Sequence, residues 1–76
     1  MPSFTIFTFP STHHVLMAEK LLLAESIPHE IIPTPKNISS DCGMSIRVRT
    51  DGNNIDPVIS VLSGHNIGFS MKEIKK

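Results

Sequence analysis

Tryptophan and tyrosine are absent, cysteine occurs once, and seven basic residues balance seven acidic ones in a chain of 76 residues. Each shortage excludes something. Without Trp or Tyr the core must be built from Ile, Leu, Val, Met and Phe. A chain this short makes one domain, residues 1–76, with a small core. A single cysteine cannot close an internal disulfide, so the fold has no covalent staple, and a free thiol fits a reducing compartment. A zero net charge, with no basic stripe interleaved with aromatics, gives nucleic acid no electrostatic footprint. The apolar stretch Leu21–Ala24 is far too short to span a bilayer. Met1-Pro2-Ser3-Phe4 lacks the basic region and apolar run of a signal peptide. The expectation is a cytoplasmic domain without a nucleic-acid or membrane partner.

What is present reads as six elements. Phe4–Phe9 alternates Phe4, Ile6 and Thr8 with Thr5, Phe7 and Phe9, apolar on both faces like a central strand. Pro10 ends it, and Ser11 or Thr12 caps a helix whose stripe is Val15, Ala18, Leu21 and Leu22. Met17 and Leu23 make that helix apolar around more of its girth than usual, while Glu19, Lys20 and Glu25 face water. Ser26-Ile27-Pro28 stops it. His29–Ile32 is a short strand, followed by a long connection from Pro33 to Gly43. In a domain this small such a loop is usually functional or disordered. Met44–Thr50 is the clearest strand, with Met44, Ile46 and Val48 buried and Ser45, Arg47 and Arg49 wet. Asp51–Asn54 is a turn. Asp56 caps a second helix with Pro57 at its first position, Val58, Val61 and Leu62 as its stripe, and Gly64 or Asn66 at its end. Gly68–Ile74 is a last strand. No internal repeat or low-complexity segment interrupts this order.

Strand, helix, strand, strand, helix, strand is the α+β, ferredoxin-like (split βαβ) arrangement: a four-stranded antiparallel sheet with two helices on one face. In it the first two strands run parallel and end at one edge. That puts the helix start, Ser11-Thr12-His13-His14, beside the loop Ser39-Ser40-Asp41-Cys42-Gly43. A thiol reacts as its thiolate, and helix N-termini and cationic groups favour that form. His13 or His14 would stabilise the anion. Gly43 gives the backbone room to turn, and the free amides of such a turn cradle anions. Asp41 acts in the opposite sense unless it pairs with a histidine or caps an amide.

Every residue singled out has a plainer reading. A lone cysteine is often a small buried hydrophobe, although its Ser, Ser, Asp and Gly neighbours argue against an apolar setting. His13 and His14 are otherwise polar first-turn residues. Arg47 and Arg49 are the solvated side of a strand. A metal site on Cys42, Asp41, His13 and His14 is not expected: there is no Cys-x-x-Cys, and adjacent helical histidines point about 100° apart. A Cys–His hydrolase would need a cleft that so small a domain hardly offers.

Two segments carry a resemblance. Phe9-Pro10-Ser11-Thr12-His13-His14 running into Ala18-Glu19-Lys20-Leu21-Leu22 is one, and Pro33-Thr34-Pro35-Lys36 with Ile38-Ser39-Ser40-Asp41-Cys42-Gly43 is the other. Together they resemble the selenium/sulfur (Se/S) carrier-like family of small bacterial proteins, over nearly the whole chain. The resemblance implies that Cys42 accepts the chalcogen. Ser39, Ser40 and Gly43 then match the loop-shaping positions, and His13 and His14 the pair at the helix start. Lys36 stands where Arg is equally expected, and Asp41 at a variable or Ser position. The Cys-Pro-x-Pro helix start of better-understood sulfur-relay carriers is missing.

The leading reading is a sulfur or selenium carrier that holds the atom on Cys42 as a persulfide or selenosulfide, a carrier or accessory protein rather than a free-standing enzyme. A cysteine desulfurase or selenocysteine lyase would donate, a second protein would accept, and no cofactor is expected on the chain itself. The alternative is a non-catalytic ferredoxin-like module that binds or forms a homodimer through an apolar patch of Phe7 and Phe9 on the open sheet face, with Cys42 inert or a redox sensor.

Overall fold

The computed structural model describes residues 3–36, 43–50 and 55–75. The elements are β1 (Ser3–Thr8), α1 (Thr12–Ala24), β2 (Glu30–Pro33), β3 (Met44–Arg49), α2 (Asp56–Gly64) and β4 (Ser70–Lys75). The sheet order is β2-β3-β1-β4, and every neighbouring pair is antiparallel. This is the ferredoxin-like α+β arrangement expected from the element order. The proposed turn at Asp51–Asn54 lies outside the described residues, as do Ser39, Ser40, Asp41 and Cys42.

β1 is central because it can bury both faces. Phe7 is fully buried opposite Ile46 of β3 and Met71 of β4. With Phe9, Ile46 and Val48 it forms the floor on which both helices pack, Val15, Ala18 and Leu22 from α1 and Val58 and Leu62 from α2. Phe69 adds a tilted ring at 5.6 Å from Phe7, a favoured aromatic geometry. Phe7 and Phe9 therefore belong to the helix-side core, and the open-face patch expected of them does not exist. On the other face Ile6 is also buried, between Arg47 and Lys72 in register. Arg47 lies over the Phe4 ring at 4.9 Å and binds Glu30 at 2.8 Å, so its stem covers apolar surface while its charge is engaged.

Two further expectations are corrected. Ser45 is not on a wet face but fully buried, because its hydroxyl finds a partner in Thr34, at 2.6 Å between the two oxygens. Asp56 does not cap α2 but sits inside its first turn, after Ile55, whose side chain makes no capping bond. Its carboxylate there still favours the positive end of the helix dipole.

Both helices end alike. Ser26 and Asn66 take left-handed backbone angles, φ 56° and 57°. Ser26 N–H donates to the Leu23 carbonyl and Ile27 N–H to that of Leu22; Asn66 and Ile67 donate in the same way to Ser63 and Leu62. This is the Schellman closure, and Leu22, Leu62 and Ile67 belong to the core cluster against which Ile27 packs.

Candidate functional site

The site is built at one edge of the sheet. β1 and β2 are each antiparallel to β3, hence parallel to each other. The register pairs Thr8 with Ser45 and Pro33 with Met44, so both strands finish at the same edge. There β1 passes through Phe9 and Pro10 into α1, and β2 passes into the connection to β3. The stems of that connection are tied twice. Thr34 N–H donates to the Gly43 carbonyl at 2.9 Å, and the Thr34 hydroxyl meets Ser45 Oγ at 2.6 Å. Gly43, bonded to Cys42, is thus anchored where α1 begins. The α2 end, with exposed His65, comes to the same edge, since β4 starts at Ser70 opposite Thr8.

Ser11 caps α1. Its Oγ accepts the His14 backbone N–H at 3.4 Å and lies 2.6 Å from His14 Nδ1. The hydroxyl is thereby engaged by the amide and the ring of one residue, which makes this local pair a cap rather than a nucleophile with its base. His14 is half-buried and His13 is exposed. Their rings stand edge to face with centroids 6.2 Å apart. Lys36 is exposed on the β2 stem. Gly43 is exposed, and a Cβ built on it meets nothing within 4 Å.

Three side chains fall elsewhere. Arg47 is held on the open sheet face by Glu30 and Phe4. The His29 side chain is buried at the opposite edge, Nδ1 bonded to the Ile27 carbonyl at 2.9 Å and Nε2 3.4 Å from Glu19. It fastens the helix end to β2, and Glu19 is half-buried by that contact rather than simply facing water. Among the described residues no group of three or more His, Cys, Asp and Glu side chains could hold a metal ion.

The family model described as "Putative Se/S carrier protein-like" matches residues 4–71. The chain belongs to that family. No curated protein and no solved structure matches it. The span matched in this Se/S carrier-like chain runs from β1 to the second residue of β4 and includes its only cysteine. Sequence reasoning missed the Thr34–Ser45 tie, which joins the two stems of the connection that carries the cysteine of this Se/S carrier-like chain. The signal for it in the sequence is a threonine between two prolines where the second strand ends. Among the described residues no helix is long and apolar enough to cross a membrane.

Proposed function

We propose that the protein carries sulfur or selenium on Cys42. The observation that carries this reading is membership of the Se/S carrier-like family across residues 4–71 in a chain with a single cysteine. No other side chain here can form a persulfide: the Met thioethers carry no ionisable sulfur. The Cys42 thiolate attacks the terminal sulfur of a donor persulfide, R–S–SH. The new bond is Cys42 S–S, the donor S–S bond breaks, and its electron pair leaves with the donor thiolate. The proton stays with the transferred group, giving Cys42–S–SH with no net oxidation. The selenium version gives Cys42–S–SeH in the same way. Delivery repeats the exchange, with an acceptor thiolate attacking the terminal atom.

Such an exchange needs an exposed, partly ionised thiol and no deep pocket, which suits a small domain. The tied stems beside the α1 start support it. Exposed His13 is the side chain we assign to stabilise the anion, with His14 held by the cap. The donor is of the cysteine desulfurase or selenocysteine lyase type, and a reducing compartment such as the cytoplasm keeps the thiol available.

The test is alkylation of Cys42 in native and urea-unfolded protein across pH. The proposal expects the native thiol to react faster at neutral pH, with a rate that levels off below the pH where a free thiol does. A native rate no greater than the unfolded one, still climbing to the ordinary thiol range, would show an unactivated cysteine and overturn the reading.

A further inference from the structure

The outward side of α1 is not what a surface helix needs. Its buried stripe is Val15, Ala18 and Leu22. The side facing away from the core carries His13, Leu16, Met17, Lys20, Leu23 and Ala24 at spacings of three and four. Leu16, Met17 and Leu23 are 57 %, 41 % and 64 % exposed. α2 provides an internal control: its exposed positions are Asp56, Pro57, Ser60, Ser63 and Gly64. The same layer thus accepts a polar outer surface on one helix, so folding does not call for the apolar one on the other.

We propose that this face of α1 docks the donor protein, and that the donor presents an apolar surface with a carboxylate opposite Lys20. The proposal rests on the carrier reading above. Charge selects the occupant. Lys20 lies mid-stripe, flanked by Leu16 and Leu23, and the one acidic residue of α1, Glu19, borders the stripe with its carboxylate turned to His29 Nε2 at 3.4 Å. A second copy packed antiparallel on it would bring Lys20 against Lys20. Area argues the same way. Three partly exposed side chains make a patch of a few hundred Å², of the size that is often functional on a monomer. Each partner in a stable interface gives up roughly 800 Å². A small contact suits a donor that must arrive, transfer and leave. The stripe also opens at His13, at the edge from which Thr34 and Gly43 lead to Cys42.

The experiment compares two routes of loading Cys42, from a purified cysteine desulfurase with cysteine, and from inorganic polysulfide, which needs no docking. Lys20→Glu and the double variant Leu16→Ser/Leu23→Ser are expected to raise the half-saturating desulfurase concentration about tenfold, a factor of ten in affinity. Polysulfide loading and thermal melts should match the wild type, and Ser60→Glu on α2 should change neither route. Unchanged desulfurase kinetics in both α1 variants would overturn the docking assignment. So would equal losses by both routes, or a wild-type dimer, or binding to anionic vesicles, that Leu16→Ser/Leu23→Ser abolishes. Wild type loaded by polysulfide but not by the desulfurase would sink the docking and leave the carrier reading standing. No loading by either route would sink both.

Discussion

The two helices lie side by side on one sheet face and finish with the same turn, yet differ at their starts and on their outer sides. α1 begins on a serine that bonds both the amide and the ring of His14. α2 begins after Ile55 without a side-chain cap. α1 exposes two leucines and a methionine, whereas α2 exposes serines. What they share, the buried stripe and the Schellman closure, is what the fold demands. Where they part, on the start and outer side of α1, the chain departs from that demand, and both departures belong to the helix that begins where the stems of the cysteine connection are tied.

The largest test of the shared part is the pair Leu22→Ala and Leu62→Ala. Both side chains are fully buried and occupy equivalent closing positions. Each truncation should cost about 2–5 kcal/mol, read as a fall in the urea midpoint. A loss under about 1 kcal/mol at either site would break the equivalence. Ser11→Ala comes next. It should cost about 1 kcal/mol and release the His14 ring, seen as movement of its imidazole NMR signals. Ile55 has no such bond to lose, so a stability effect without any change at His14 would contradict the cap described for α1. The smallest effect separates the two closing turns. Serine tolerates left-handed angles less well than asparagine. Ser26→Gly should therefore stabilise by about 0.5 kcal/mol and Asn66→Gly by less, measured in parallel urea titrations. Equal gains, or a loss at Ser26, would show that the two turns are not strained as their residues imply.

Much of this was legible beforehand because it is written in local patterns. The period-two run Phe4–Phe9, the three-and-four spacing of Val15, Ala18 and Leu22, and Pro10 and Pro28 as stops all act within a few residues. They sufficed for the element order, and the order sufficed for the topology. The errors came where a distant partner decides. Ser45 reads as a wet position by alternation, but Thr34, eleven residues away, supplies the bond that allows its burial. Phe7 and Phe9 share a face with Thr5, and alternation alone does not say which face the helices cover. Asp56 looks like a cap, yet the backbone at Ile55 already starts the turn. The edge shared by the α1 start and the cysteine stems followed from topology. The Thr34–Gly43 tie that anchors those stems did not, because nothing local announces it.

The central claim is that Cys42 accepts and releases a chalcogen atom. It is tested most directly by intact-mass spectrometry of wild type and Cys42→Ala after incubation with a cysteine desulfurase and cysteine, without reductant, followed by a thiol acceptor. The account predicts that wild type gains the mass of one sulfur atom and returns to its starting mass when the acceptor is added, while Cys42→Ala gains nothing. No gain on the wild type, or an equal gain on Cys42→Ala, would contradict it.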